Sequence, residues 1–331
     1  MKKLTAKTIA KELNISPSTV SRVLNNSGKI SDETKKNIYS YIRKHDPDSI
    51  YLFQNNNKRI VGLVVSKLSN EFFAKITEQI EKLLSRYNIS LIIKCTNYSF
   101  EEEKAAIYSL IDNKVQCIIT LATRHKVVNR SELNNIPIIS IDESDPIIDS
   151  VPDVRVWCDQ YIGGVLASEE LVSKGCKQII FMTNIAPYFK DYKYKGYCDT
   201  LKKHNLTIDN RLLVTSGNYS TNSIKDAELM TEYLLTKGVK FDGVFATSDR
   251  RALGVMIALD KHNIKYPEDV KIIGYDASTL SESFGITSIY QDINNIAENC
   301  VINILKYFNE HPRELVYKSP IPVFLKKGTT T

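Results

Sequence analysis

Residues 16–25 read Ser16, Pro17, Ser18, Thr19, Val20, Ser21, Arg22, Val23, Leu24 and Asn25. As a helix, Val20, Val23 and Leu24 form one apolar stripe, and Pro17, Ser18, Ser21, Arg22 and Asn25 fall on the other side. Short hydroxyls and an amide around one guanidinium, with no acid, can meet phosphate oxygens and base edges, and such a face is slim enough for a major groove. A second group of polar residues stands at the ends of apolar runs: Ser248 and Asp249 after 243–247, and Asp276 after 270–275. An acid closing an apolar strand needs a partner, and open α/β sheets bind ligands beyond the carboxyl ends of their strands. Asp249 has an equally good local use as the cap of the helix that follows. No GxSxG, P-loop, GxGxxG or HExxH pattern occurs, and the five His have no zinc-type spacing, so the expected catalytic, cofactor and metal sites are none.

The first group needs two further elements to hold it. Thr5 can cap a helix whose apolar positions are Ile9, Ala10 and Leu13. Asn14 follows where the chain must turn, and Asn tolerates the left-handed conformation. Ser16 then caps the second helix, with Pro17 at a position where a missing N–H costs nothing. Ser31 caps a third helix, Asp32 and Glu33 suit its N-terminal dipole, and Ile38, Tyr41 and Ile42 supply its inner face. Two helices joined by a tight turn, the second slim and basic, describe a helix-turn-helix; the alternative is a structural three-helix bundle. Charge favours the former. Residues 1–59 hold 12 Lys/Arg and 5 Asp/Glu, a balance of +7, within a chain of net charge +6. The remainder is close to neutral, the asymmetry of a nucleic-acid-binding head on a neutral body.

From residue 60 short apolar runs alternate with amphipathic stretches. The runs 60–65, 91–95, 117–121, 137–141, 154–158, 178–182, 212–215, 243–247 and 270–275 predict strands; 73–87, 161–174 and 253–262 predict helices. This alternation gives parallel sheets covered on both faces, and the 331 residues accommodate two such units. Pro47 and the run Asn55–Asn57 mark a boundary between head and body. The six cysteines are scattered singly, as in a reducing compartment. The opening Met-Lys-Lys-Leu-Thr lacks a secretory apolar stretch, and no run is long and apolar enough for a membrane span. The expected location is cytoplasmic, without a membrane partner.

The run Ile9-Ala10 … Ile15-Ser16-Pro17-Ser18-Thr19-Val20-Ser21-Arg22-Val23-Leu24-Asn25 … Ile30-Ser31-Asp32-Glu33-Thr34 resembles the head of lac/gal-type repressors. The body resembles the periplasmic-binding-protein-like core of the same family, through Asn70-Glu71-Phe72-Phe73, Asp159 with Gly163-Gly164, Lys193 to Tyr197, Thr247-Ser248-Asp249, Pro267 to Asp276 and Thr287 to Gln291. The resemblance implies an N-terminal all-α helix-turn-helix head (1–45), a hinge or linker (46–59) and an α/β body (60–331) of two doubly wound parallel-sheet lobes. Lobe 1 would comprise about 60–158 and 291–317, and lobe 2 about 159–290 and 318–331, with three crossings between them. It further implies DNA contacts from Thr5, Ser16, Thr19, Ser21, Arg22, Asn25 and Ser31, with Pro17 and Ser18 at the positions that vary with operator sequence. Neither of those two can make a bidentate base contact. The hinge departs from the family pattern: Asp48 stands for Asn, Tyr51 for Ala, Leu52 for Arg, and Gln54 at the wedge position. Leu52 or Phe53 could supply the wedge in another register; the alternative is a plain linker.

By the same resemblance the ligand set is Phe72, Phe73, Lys193, Tyr219, Ser248, Asp249, Asp276 and Gln291. One of Phe72 and Phe73 is expected in the core, and Tyr219 is equally a loop aromatic. Lys193 replaces the family's usual Arg and is a point donor rather than a planar fork. The implied function is a repressor of carbohydrate utilisation. As a homodimer it would bind an inverted-repeat operator and release it when a mono- or disaccharide or sugar phosphate enters the cleft. A co-repressor-dependent regulator of another metabolite, and a transport-type sugar-binding protein without a DNA role, are the alternatives.

Overall fold

The computed structural model describes residues 5–24, 28, 30–45, 59–123, 125–141, 152–185, 188–215, 222–308 and 320–331. At the N-terminus three helices, α1 (Ala6–Glu12), α2 (Pro17–Leu24) and α3 (Asp32–His45), pack on one another. Their core is Ile9, Ala10, Val20, Val23, Leu24, Ile38 and Ile42, with Tyr41 only partly buried at its edge. The caps are local. Thr5 and Thr8 form a reciprocal capping box on α1. Ser16 Oγ accepts the Thr19 N–H at 3.0 Å, and Ser31 Oγ accepts that of Thr34 at 3.3 Å. Asn14 takes φ 52°, the left-handed turn that sets α2 across α1. Tyr39 ties α3 to α2 by donating its hydroxyl to the Val23 carbonyl at 3.2 Å.

The described residues of the body form two sheets. The first is β1 (Arg59–Val65), β2 (Ile89–Cys95), β3 (Cys117–Leu121), β4 (Ile138–Ser140) and β5 (Val154–Arg155), all parallel in the order β2-β1-β3-β4-β5. Helices α4 (Glu71–Ser85) and α5 (Phe100–Asp112) link its first strands. The second sheet is built from β6 (Ile179–Thr183), β7 (Leu213–Thr215), β8 (Gly243–Ala246), β9 (Lys271–Asp276), β10 (Thr287–Gln291) and β11 (Val323–Lys326), ordered β11-β10-β9-β8-β6-β7. Its strands are parallel except β11, which runs antiparallel to β10 at the edge. Around it lie α6 (Gln160–Ser173), α7 (Tyr192–Lys203), α8 (Ser223–Thr236), α9 (Asp249–Lys261) and α10 (Thr279–Phe284). Helix α11 (Ile293–Tyr307) follows β10 in the chain but packs against α4 and β4, in the first lobe.

The chain therefore passes between lobes after β5, after β10 and before β11. The first and last passages lie side by side: Cys158 pairs with Ile321, whose N–H donates to the Trp157 carbonyl at 2.8 Å. One apolar cluster runs through both lobes and includes Val61, Ile119 and Ile304 of the first, Phe181, Phe245 and Tyr275 of the second, and Cys158, Ile321 and Val323 beside the crossings.

Strands β10 and β11 were not among the expected ones. In β10 the hydroxyls of Thr287 and Ser288 interrupt the apolar pattern, yet both side chains are fully buried because neighbours satisfy them. In β11 the edge position leaves Phe324 58% exposed beside buried Val323, so no continuous apolar run exists to be read. β5 is shorter than the expected 154–158 because the chain leaves the sheet there to cross.

Candidate functional site

The exposed side of α2 carries Pro17, Ser18 and Arg22, with Ser21 half-buried beside them. Ser16 Oγ lies 2.7 Å from Ser18 Oγ and 2.8 Å from Thr19 Oγ1, so the hydroxyls at the helix start form one small network. Arg22 makes no hydrogen bond or ion pair among the described residues. Thr5 and Ser31 are exposed at the starts of the two flanking helices. The structure thus gathers Thr5, Ser16, Pro17, Ser18, Thr19, Ser21, Arg22 and Ser31 on one three-helix unit. Asn25, Leu52 and Phe53 lie outside the described residues, as does Tyr219 of the ligand set.

The second site is at the carboxyl ends of the lobe 2 strands. Asp276 ends β9 with φ 106°, and Ala277 follows with φ 48°. Two consecutive L residues in this region are strained, by of order 1–3 kcal/mol each, and persist only where their surroundings hold them. Gln291, at the end of neighbouring β10, donates its Nε2 to Asp276 Oδ1 at 2.8 Å. Burial first, and the Asp249 carboxylate second, push the Asp276 carboxyl well above the ordinary Asp range, against the opposing pull of Lys193 and Gln291.

Lys193 sits in the first turn of α7, 12% exposed, with Nζ 3.1 Å from Gln160 Oε1 and 3.3 Å from Asp191 Oδ1. The same ammonium lies 5.1 Å from the centre of the Tyr275 ring, so its charge has an aromatic floor as well as an acid. The placement depends on two glycines. A Cβ on Gly164 would collide with the Lys193 backbone, and one on Gly196 with the Tyr161 carbonyl; bare backbones let α6 and α7 approach this closely. Phe72 and Phe73 occupy the first turn of α4 in lobe 1, rings 6.1 Å apart, both partly buried against the common core. Both rings pack on the edge of the core and neither is fully buried, because the start of α4 is only half covered.

Asp249 does not take the capping role that its place in the sequence offered. Ser248 is the cap of α9, its Oγ accepting the Arg251 N–H at 3.3 Å and Arg251 Nη1 at 2.9 Å. Asp249 is 1% exposed. Its carboxylate accepts Ser278 N–H at 2.7 Å, Ser278 Oγ–H at 2.8 Å and Ser288 Oγ–H at 2.5 Å. Burial raises its pKa, against the hydrogen bonds from Ser288 and Ser278. It is a strut that braces the site from beneath, and only tertiary packing brings Ser278 and Ser288 to it. Sequence reasoning also missed Gln160, Asp191 and Tyr275. Of these, Asp191 carried a signal, an acid capping the helix that bears Lys193.

No group of three or more metal-binding side chains occurs among the described residues, and none of their helices is long and apolar enough to cross a membrane.

Comparison with known proteins agrees with both halves. Residues 58–318 match the family described as periplasmic binding proteins and sugar binding domain of LacI family, and residues 5–46 match bacterial regulatory proteins, lacI family. The chain is 28% identical to a sucrose operon repressor of Pediococcus pentosaceus, covering 97% of this chain and 98% of that one. It is 26% identical to a ribose operon repressor of Halalkalibacterium halodurans, covering 99% and 97%. Among solved structures, the lac repressor dimer bound to operator and an anti-inducer superimposes with a TM-score of 0.77 at 19% identity, over 99% of both chains. The regulator CelR in complex with cellobiose does so with a TM-score of 0.68 at 22% identity, over 99% of this chain and 100% of that one. With a helix-turn-helix unit and a two-lobed body both matched in order, the chain belongs to the lacI family of bacterial regulatory proteins.

Proposed function

We propose that this chain is a sequence-specific transcriptional repressor of a carbohydrate-utilisation operon, acting as a homodimer in the cytoplasm, where its DNA target lies. The observation that carries the reading is α2: its apolar stripe is buried, while Pro17, Ser18 and Arg22 stand exposed with no acid beside them. A dimer sets two such helices one DNA turn apart on an inverted repeat. Ser16, Thr19 and Ser21 fix the helix on phosphates, as do Thr5, Asn25 and Ser31, and Arg22 reaches base edges. The working division is a head at 1–45, a linker at 46–59 and a body at 60–331. Lobe 1 takes about 60–158 and 291–317, and lobe 2 about 159–290 and 318–331.

The effector is a mono- or disaccharide or sugar phosphate held between the lobes. A sugar presents hydroxyl pairs and an apolar ring face. Asp276, Gln291 and Lys193 suit the hydroxyls, and the partly buried rings of Phe72 and Phe73 suit the face. Sucrose and ribose repressors among the relatives, and cellobiose in a structural neighbour, support this class. Ligand shifts the lobe arrangement only by its differential affinity for the two states, and operator affinity follows.

The test is a gel-shift and thermal-shift pair. The purified chain should retain an inverted-repeat duplex with steep salt dependence. Arg22→Ala should remove that binding and leave the melting shift given by the active sugar of a panel unchanged. Asp276→Ala should keep the duplex and lose the sugar response. Loss of both functions in either variant overturns the modular reading, and the absence of any retained duplex at low ionic strength overturns the repressor reading.

A further inference from the structure

Four consecutive residues at the rim of the cleft are each anchored by a different partner. Asp276 accepts from Gln291, and the Ala277 N–H donates to Ser288 Oγ at 3.0 Å. Ser278 donates twice to Asp249. Thr279 donates its N–H to Glu71 Oε1 at 3.2 Å and its hydroxyl to Glu71 Oε2 at 2.7 Å. Gln291 ends β10, the last strand of the second sheet before the chain crosses over, and the partners of Ala277 and Ser278 belong to lobe 2 as well. Glu71, the first residue of α4, belongs to lobe 1.

We propose that Glu71 is a positioning residue for the cleft: it reaches from lobe 1 to Thr279 and holds the 276–279 turn, and Asp276 with it, in register with the opposite lobe. The inference rests on the cleft as the effector site. It follows from connectivity. The turn begins with two residues at positive φ, so its shape persists only while its anchors hold. Three anchors move with Asp276; the fourth moves with lobe 1. Any change in lobe separation therefore acts first on Thr279 and passes over two residues to Asp276.

The charges around the contact fit a device that can open. Lys75 Nζ lies 2.6 Å from Glu71 Oε1 within α4, and Lys326 lies 2.7 Å from Glu282 on α10. Lys75 of lobe 1 and Lys326 of lobe 2 both act on Glu282, while Glu71 opposes it. Burial alone would raise the Glu71 pKa, but hydrogen bonds from Lys75 and Thr279 outweigh it and hold the carboxyl below its usual value. The Glu71 side chain is 30% exposed, so water can replace its bonds when the lobes part. A contact of this kind biases an equilibrium and does not lock it.

The chain carries its own reporter, a single tryptophan. Trp157 lies at the first crossover, its carbonyl bonded to Ile321 of the last. The experiment is acrylamide quenching of Trp157 with small-angle scattering, on the full chain without added ligand. Four variants are compared: Glu71→Ala, Thr279→Ala, the double variant and Thr279→Ser. Glu71→Ala should raise the quenching constant about twofold and enlarge the radius of gyration. Thr279→Ala, which keeps its N–H, should do so less; the double variant should match Glu71→Ala, and Thr279→Ser should match the parent. The melting midpoint should stay within about 2 °C, since a surface-grade pair contributes little to stability. Unchanged quenching and scattering in Glu71→Ala, or fully additive single effects, overturn the proposal. A sugar panel that yields no melting shift with the parent chain would instead sink the effector reading and leave this result standing.

Discussion

The two polar surfaces of the molecule are built in opposite ways. On α2 the hydroxyls and Arg22 are held by their own helix: the Ser16, Ser18 and Thr19 oxygens bond one another, and the apolar stripe beneath sets their direction. At the cleft each group is held by a residue far away in sequence: Asp276 by Gln291, Lys193 by Gln160, Asp249 by Ser278 and Ser288. A surface that must meet a long polyanion can leave its donors in water, because the partner brings the matching charge. A surface that must select a small polar molecule needs groups fixed before the ligand arrives, since ordering them later subtracts from affinity.

That contrast can be broken most forcefully at the head's core. Ile38→Ala empties a fully buried position in a cluster of seven buried side chains among the described residues, at a cost of about 2–5 kcal/mol. Operator retention should vanish while the body's melting transition stays put. A matching loss in the body, seen by calorimetry, would show that the two regions do not fold independently.

Asp249→Ala is the counterpart in the body. It strands the Ser278 N–H and two hydroxyls, and should lower stability by about 1–3 kcal/mol per buried group left unpaired. Urea unfolding followed by circular dichroism reads this directly. A change under about 0.5 kcal/mol would mean the strut is not under load.

The pH dependence sharpens the comparison further. The folded Asp276 carboxyl titrates well above the ordinary Asp range. Between those two values the folded chain binds more proton than the unfolded one. This contribution to stability is therefore complete below the ordinary value and is lost as pH rises through the folded value. The slope from this one group is at most about 1.4 kcal/mol per pH unit. Asp276→Asn should flatten the fall seen above the ordinary carboxylate range in urea midpoints; a slope identical to the parent's would assign the effect elsewhere.

The smallest effect is expected at the α2 cap. Ser16→Ala removes the side-chain acceptor for the Thr19 N–H, which keeps the Ser16 carbonyl, and should cost about 1 kcal/mol of head stability. Operator affinity should fall further than that figure if Ser16 also touches phosphate; an equal fall would leave it a cap alone.

The head was legible residue by residue. Caps, left-handed turn and apolar stripes are events within a few residues, and Thr5, Asn14, Ser16, Pro17 and Ser31 announce them by type. Arg22 was readable as exposed because a helix of known phase fixes which side it occupies. Most strands of the body were legible too, being fully buried apolar runs. β10 and β11 were not, since burial there follows from hydroxyl pairing and an edge position that no local pattern encodes.

The chain's order of residues by itself determined the three-helix head, the charge asymmetry and the alternation that yields parallel sheets, because each follows from short-range sterics and periodicity. The tertiary structure alone decided the chemistry of the cleft. Whether Asp249 caps a helix or braces a turn, and whether Glu71 is a surface acid or a tie between lobes, depends on which atoms arrive from more than 20 residues away. Desolvation and hydrogen bonding act at a few ångströms, and only the fold brings such residues that close.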